Sequence, residues 1–549
     1  MLFLLTPLAF YPGLLFGDLP LLHPWESGYS EWLRSETVEQ FLAGQAPLWS
    51  SARLAGVPLV EDPRSALGSP QSWLTWAFGA EVARGVCAWL FTGLMGAGTW
   101  LWGRSLGWRS GSALVAGILA QANPVLHLGL LDGAAATLAL LPWALLALER
   151  TRSTGRPWAA LGVTALLWGG DPGLGVCCVL VLIGWWLWRG AQARELVALI
   201  LGGFMSAPLS LPPLLAWLNS DLTPTRPWLV QGGLGPVFSG LPGGLGTSTA
   251  TLGLLALGLW GLALGAGRGL ERFSERRHPL VAAAALMAGV LLCGPLRPLG
   301  SADAGAGEST VQVRNLGLDD VPFFPSDLRG TPRFPSPQAG RFMVALDPES
   351  QVPGLKVTTI NAQNRNVLEF AGVGVVASSL ALYGLAPTAP GPPMWLYVLE
   401  PNGQGPRAWW TPGGRRAANE REALDFLRTG YAFREAPAIQ DLERRLPTDG
   451  EITPLVVQDL GGTVRITVPQ ESRAGVLVLA DRWEPEWRVQ VDGQDADLLQ
   501  VGGLFRGVML PPGAKEVVFE YRLWTWAWGL GLGAVGLLLA LGLSFRRAP

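Results

Sequence analysis

Through residues 1–296 long apolar runs alternate with short polar connections, and after about residue 455 the pattern changes to a strict period of two. A hydrocarbon core about 30 Å thick needs roughly 20 apolar residues of helix. By that ruler the chain predicts about ten spans, near residues 2–17, 82–103, 110–124, 130–148, 158–170, 173–188, 196–217, 248–267, 279–296 and 523–543. The first lacks the basic region and small-residue cleavage site of a secretory signal and reads as an uncleaved span.

The arginines give these spans an orientation. Arg104 and Arg109 follow the second span, Arg150, Arg152 and Arg156 the fourth, and Arg189 and Arg194 the sixth. The sequence RGLERFSERR (268–277) follows the eighth, and Arg546 and Arg547 follow the last. Basic connections stay in the cytoplasm, so both termini are expected there and every odd-numbered exit faces outside. The run NVLEFAGVGVVASSLALYGLA (366–386) is nearly long enough to span. Counting it would carry Arg546 and Arg547 outside, and it contains Glu369, so it is expected to be strand and turn in a soluble region.

Two sizeable pieces then lie outside. The loop 18–81 contains EWLRSETVEQFLAG (31–44), whose Trp32, Leu33, Val38, Phe41 and Leu42 recur at helical spacing and suit a helix on the membrane surface. Residues 297–522 contain a short helical pattern at 419–430 and then alternating segments at 464–469, 475–483, 487–493, 503–511 and 515–523, separated by Gly, Pro and Asp turns. That pattern predicts a small antiparallel β-sandwich over about 455–522. The expected organisation is a polytopic membrane domain (1–296), an extracytoplasmic α/β region (297–522), and a final transmembrane helix with a basic cytoplasmic tail (523–549).

Composition supports this class. Of 549 residues, 49% are hydrophobic and only 15% charged, with 26 tryptophans, the profile of a multi-span α-helical membrane protein whose first partners are membrane lipids. A formal net charge of -2 without a basic tail argues against a nucleic-acid partner. Cys87, Cys177, Cys178 and Cys293 all fall in apolar runs without metal-ligand spacing, as packing residues do.

The sequence offers no Walker-type loop and no GxGxxG after a strand, and His23, His127 and His278 are too dispersed for a zinc site. Acids remain. Asp18, Glu26, Glu31, Glu61, Asp62, Asp132 and Asp171 all fall on the outer side at or beyond span ends, where an ionisable group is costly unless it meets water or a partner. Asp171, in GGDPG (169–173), equally suits a turn or N-cap before the sixth span. Asp18 and Glu26 stand at the outer end of the first span, where an acceptor hydroxyl would meet a membrane-held donor.

The segments GQAPLWSSARLAGVPLVEDPRSALGSP (44–70), LPWALLALER (141–150), GGDPG (169–173), PLSLPPLLAWLNSDLTPTR (208–226), PRAWWTPGGRRAANEREALDFL (406–427) and LADRWEPEWRVQVDGQDADLLQVGGLFRGVMLPPGAKEVVFEYRL (479–523) together resemble the bacterial YfhO-like membrane protein family. The likeness covers 18–230 and 400–549, and the C-terminal motif is its most specific part. The chain departs from the family in being short between 297 and 523 and in reading WEPEW at its aromatic turn, as a reduced member would. The resemblance implies a GT-C-like architecture, in which a glycosyltransferase takes sugar from a polyprenyl-phosphate-linked donor on the extracytoplasmic face of the bacterial inner membrane. The acceptor would be an envelope glycopolymer, lipid or protein.

On that reading the catalytic base is Asp18 or Glu26, and Asp62 is a second acid that binds sugar hydroxyls or a divalent cation, the single cofactor to consider. Arg53 and Arg64 would hold phosphate, for which a planar guanidinium is suited. Asp132 and Asp171 would be further substrate contacts. Trp483 and Trp487, with Trp409 and Trp410, are the aromatics available to stack on sugars, and equally suit a sandwich core or a membrane interface. Two competing readings remain: a non-catalytic envelope protein that binds or presents glycans through its outer domain, and a transporter, for which the sequence shows no inverted repeat.

Overall fold

The computed structural model describes residues 2–10, 24–51, 56–62, 65, 67–123, 126, 134–169, 172–219, 258, 260–266, 268, 311–314, 362–372, 375–378, 395–398, 406–429, 433–440, 442, 446–448, 450–469 and 473–545. The chain divides into two compact units, one of Met1–Glu39, Val60–Gly305 and Thr525–Pro549, the other of Gln40–Leu59 and Ala306–Trp524.

The first unit is helical. Its described helices are α1 (Leu2–Phe10), α2 (Pro24–Leu42, which runs on into the second unit), α3 (Pro70–Phe78), α4 (Ala80–Ser105), α5 (Ser110–Gln121), α6 (Ala134–Thr154), α7 (Trp158–Leu167), α8 (Pro172–Trp188), α9 (Ala193–Asn219) and a last helix, Trp524–Phe545. α4 is the hub on which α1, α3, α5 and α6 pack, and α7 lies between α6 and α9. Phe91, Met95, Trp102, Leu138, Leu141 and Leu145 form the core of this bundle. Gln121 ties three helices together: its Oε1 accepts from Thr6 Oγ1 at 2.7 Å and its Nε2 donates to the Thr92 carbonyl at 3.1 Å. Such a buried amide is tolerated because its partners are supplied from neighbouring helices.

Small residues set the closest approach in this unit. A Cβ at Gly529 would meet the Ala207 carbonyl oxygen at 2.7 Å, one at Gly533 the Pro208 ring at 2.5 Å, and one at Gly536 Phe204 Cβ at 2.8 Å. The last helix therefore lays a glycine stripe directly on α9, the small-xxx-small mode of helix packing.

Among the described residues two helical segments are long and apolar enough to cross a membrane, Ala193–Ala216 of α9 and the last helix. The sequence pattern led us to expect about ten spans. Apolar runs at 110–124 and 158–170 form helices of only 12 and 10 residues, short of the roughly 20 a bilayer core requires. Of the expected span at 248–267, residues 258 and 260–266 are described, and they are helical; the span at 279–296 lies outside the described residues.

The second unit is built on β-sheets. One sheet orders Val457–Asp459, Thr463–Thr467, Glu516–Tyr521, Trp487–Val491 and Gln494–Ala496; a second orders Arg415–Ala417, Ala438–Gln440, Leu499–Val501, Phe505–Leu510, Gly475–Arg482, Ala408–Thr411 and Thr453–Pro454. In the first sheet Thr463–Thr467, Trp487–Val491 and Glu516–Tyr521 alternate buried and exposed positions, as strands with one covered face do. Gly475–Arg482, near the middle of the second sheet, is buried along its whole length. Arg506 of the second sheet lies 3.5 Å over the Trp487 ring of the first, so the two sheets face each other as a sandwich. The hairpin between Trp487–Val491 and Gln494–Ala496 turns at Asp492 and Gly493, with φ of 50° and 78°, the left-handed pair that a two-residue turn requires.

Residues 40–59 group with the second compact unit, where Trp49–Ser50 pairs with Val57–Pro58 and buries Trp49 against Trp487 and Tyr521 at ring separations of 5.2 and 5.1 Å. Gly56 permits this: its φ is +116°, and a Cβ there would lie 2.1 Å from the Trp49 ring. The run 366–386 is not strand throughout: helix Ala362–Phe370 ends at Gly372, in the left-handed region, and strand Val375–Ser378 follows. The helix drawn at 31–44 begins at Pro24, and the face it buries carries Leu33, Arg34, Thr37 and Gln40, while Phe41 and Leu42 are exposed.

Candidate functional site

The helical unit holds a cavity of about 250 Å3. One wall is the segment between α2 and α3, with Val60, Asp62, Ser65, Leu67 and Gly68; the others come from Trp168, Val176, α9 residues including Gly203, Phe204, Ser206, Leu209, Ser210 and Pro213, and Leu532. The lining is mostly apolar, with a few polar groups set into it, the usual make-up of a small-molecule site.

The polar groups are held by local chemistry. Asp62 is fully buried, and its carbonyl accepts the Ser65 N–H at 3.0 Å in a single tight turn. Trp168 closes the end of α7 and donates its indole N–H to the Ser206 carbonyl at 3.0 Å. Ser210 Oγ donates to that same carbonyl at 2.9 Å and lies 3.1 Å from Ser206 Oγ. α9 carries Pro208, Pro212 and Pro213 in its interior. Proline has no N–H to give to the carbonyl four residues back, so the backbone oxygens of Phe204, Pro208 and Leu209 lack that intrahelical donor, and Phe204 and Leu209 are in the cavity lining. Gly68 lets the opposite wall come close: a Cβ there would sit 2.9 Å from Trp168 Cβ and 3.2 Å from Leu209 Cδ1.

Chemically the cavity offers one carboxylate, serine hydroxyls and backbone acceptors in an apolar enclosure. That set can receive a donor hydroxyl or take its proton while excluding water. Asp62 is the one carboxylate in the described lining, and among the described residues no three His, Cys, Asp or Glu side chains gather as metal ligands.

Of the residues singled out from the sequence, Asp62 is placed in the cavity wall. Glu26 lies in α2, and nothing is described of its side chain. Asp18, Arg53, Arg64, Asp132 and Asp171 lie outside the described residues. Trp487 takes the sandwich-core position that the sequence equally suited, fully buried between Trp49, Tyr521 and Arg506. Trp409 is likewise fully buried, edge-on to Phe370 at 5.0 Å. Trp483 is partly buried, and its indole N–H is buried without a hydrogen-bond partner. The sequence reading missed Trp168, Ser206 and Ser210. The available signal was PLSLPP (208–213), three prolines in a run otherwise apolar enough to span, which marks a helix with unsatisfied carbonyls.

The sandwich contains a second polar cluster. Asp481 accepts a bidentate pair from Arg407, Nε at 3.0 Å and Nη2 at 2.8 Å, and a third bond from Arg506 Nη2 at 2.7 Å. Burial alone pushes this carboxyl up, but the two guanidiniums outweigh burial and hold it below the usual carboxylate range. Arg407 also reaches Asp459 at 2.7 Å, and Ser51 donates to the same carboxylate. With each of its acids paired to an arginine, this cluster has the character of a structural tie.

No family model matches the chain, and no curated protein matches it. Among solved structures it is similar to the cryo-EM structure of arabinofuranosyltransferase AftD from Mycobacteria, at 15% identity and a TM-score of 0.46, covering 91% of this chain and 57% of that one. A mutant form of the same protein gives 14% identity and a TM-score of 0.45, with 90% and 59% covered. The chain thus spans somewhat over half the length of these structures, and at this level of likeness no fold or activity is carried over from them.

Proposed function

We propose that the protein is a membrane glycosyltransferase that moves a sugar from a polyprenyl-phosphate-linked donor to a cell-envelope acceptor on the extracytoplasmic face. The observation that carries this reading is Asp62, a fully buried carboxylate in the wall of a mainly apolar cavity lined by Ser65, Ser206 and Ser210. An apolar enclosure suits a prenyl-linked substrate drawn from the bilayer, and the serines and proline-freed carbonyls suit sugar hydroxyls.

In the reaction an acceptor hydroxyl gives its proton to a carboxylate as its oxygen attacks the anomeric carbon, the bond from that carbon to the phosphate oxygen breaks, and polyprenyl phosphate leaves. Asp62 binds a sugar hydroxyl beside the reacting centre, with Asp18 or Glu26 as base and Arg53 and Arg64 on the leaving phosphate. The competing reading, a non-catalytic envelope protein that binds or presents glycans through its outer domain, has no such buried carboxylate at an apolar cavity to account for.

The test is transfer by the full chain in lipid nanodiscs, with a panel of polyprenyl-phosphate sugars and release of polyprenyl phosphate as readout. Asp62→Asn should lose most of the transfer while keeping the melting temperature within a few degrees. Full transfer by Asp62→Asn, or no donor consumed from any member of the panel, would overturn the reading.

A further inference from the structure

Helix α3 is amphipathic in the inverse sense for a soluble protein. Its polar residues Gln71, Ser72 and Thr75 are buried, while Trp73, Trp76 and Phe78 are 51%, 57% and 59% exposed. The outward residues continue at Val82, also exposed, on the first turn of α4. No charged residue occurs from Pro70 to Ala80.

The orientation is fixed by specific bonds. Ser69 caps the helix, its Oγ accepting the Gln71 N–H at 3.3 Å, and Ser72 Oγ donates to the Ser65 carbonyl at 2.9 Å. Trp73 gives its indole N–H to the Leu67 carbonyl at 3.1 Å, so its ring is pinned at the surface by its own polar atom. The polar side of α3 is thereby spent on the segment that forms the cavity wall, and rotating the helix to hide its aromatics would break these bonds.

We propose that α3 is a membrane-interface element whose Trp73, Trp76 and Phe78 face is seated among phospholipid headgroups and the first acyl carbons. Three features single out lipid as the occupant. The exposed residues are aromatic with indoles, the type that concentrates at the headgroup level of a bilayer. The face carries no charge between Pro70 and Ala80, so it offers a charged protein surface nothing to pair with. The same unit exposes apolar side chains elsewhere, Leu538 at 69% and Leu539 at 51% on the last helix and Ile200 at 48% on α9, the two described helices long and apolar enough to cross a bilayer. The inference stands on this geometry and does not depend on the transferase reading.

The test is site-specific photo-crosslinking of the full chain in nanodiscs of phosphatidylethanolamine and phosphatidylglycerol, with benzoylphenylalanine placed in turn at Trp76, Phe78, Leu538 and Val456. Leu538 is the lipid control on a membrane-length helix, and Val456, 81% exposed in the sandwich unit, is the water control. Phospholipid adducts should form at 76 and 78 as they do at 538, with none above background at 456. Adducts at 538 with none at 76 and 78, or adducts at 76 and 78 only to a second protein, would overturn the proposal. Two independent positions on α3 guard against a single variant that fails to fold, and their result is separate from any measurement of sugar transfer.

Discussion

Arg506 donates to Asp481 at 2.7 Å while its guanidinium lies 3.5 Å over the ring of Trp487, so one fully buried cation serves an ion pair and an aromatic face at once. Asp481 is shared with Arg407, which reaches on to Asp459, and Asp459 receives the hydroxyl of Ser51. The network therefore fastens residues near the front of the chain to the C-terminal sandwich.

Removing the shared carboxylate should be severe. Asp481→Asn leaves Arg506 buried without its counter-charge, and breaking one side of a buried pair costs about 3–5 kcal/mol. Thermal unfolding of the full chain in detergent, followed by the loss of β-sheet circular dichroism, measures it. A melting temperature equal to that of the wild type would show that the network contributes nothing.

Acid should reveal the same carboxylate. Asp481 has its pKa lowered in the folded protein from an unfolded value of about 3.9. A group depressed on folding stabilises fully above its unfolded pKa, and that stability is lost as pH falls through the folded one. Stability should hold from neutral pH to about 4 and fall below it, and Asp481→Asn should flatten that part of the profile. Parallel profiles for the two proteins, measured by unfolding at stepped pH, would assign the acid sensitivity elsewhere.

The strands of the sandwich were legible because Thr463–Thr467, Trp487–Val491 and Glu516–Tyr521 each bury one face, and a period of two survives in the letters. The Asp492–Gly493 turn was legible for a similar local reason. Trp49 was not. Its partners Trp487 and Tyr521 lie over 400 residues away, and a contact between distant segments leaves no periodic trace in either. In the helical unit Asp62 could be picked out as an acid in a polar loop, but the cavity is completed by Ser206, Ser210 and Pro213 of α9, which reads from sequence as an ordinary apolar span.

Trp49 supplies the next prediction. It is fully buried, it packs on Trp487 and Tyr521, and Arg482 and Arg506 lie 5.4 and 5.6 Å from its ring. Trp49→Ala should cost about 3–5 kcal/mol, the range for emptying a large aromatic site. Trp49→Ala and Trp487→Ala should combine to less than their sum, because each removes the same contact. Strict additivity in unfolding experiments would mean that residues 40–59 do not share the sandwich core.

The glycine stripe of the last helix makes a steric prediction. A Cβ at Gly533 falls 2.5 Å from the Pro208 ring, whereas Gly531 and Gly542 have nothing within 4 Å. Gly533→Leu should destabilise by about 1–3 kcal/mol through overpacking. Gly531→Leu should leave the melting temperature within a degree or two, and equal effects at the two positions would rule out close packing on α9.

The cavity can be tested by the same contrast within its own wall. Gly68 and Gly203 both line it, but a Cβ at Gly68 would lie 2.9 Å from Trp168 Cβ and 3.0 Å from its Cγ, while one at Gly203 meets nothing within 4 Å. Those Trp168 atoms are at the base of the side chain and cannot swing away without moving the end of α7. Gly68→Ala should therefore stretch the Trp168 to Ser206 hydrogen bond, now 3.0 Å, cost about 1–3 kcal/mol and reshape the cavity. Gly203→Ala sits in a helix interior, where alanine is favoured over glycine by about 1 kcal/mol, so it should be neutral or stabilising. Melting curves of both variants, with transfer from polyprenyl-phosphate sugar measured alongside, check the pair. If Gly68→Ala matches Gly203→Ala in both readouts, the close wall between Gly68 and Trp168 is not what shapes this cavity.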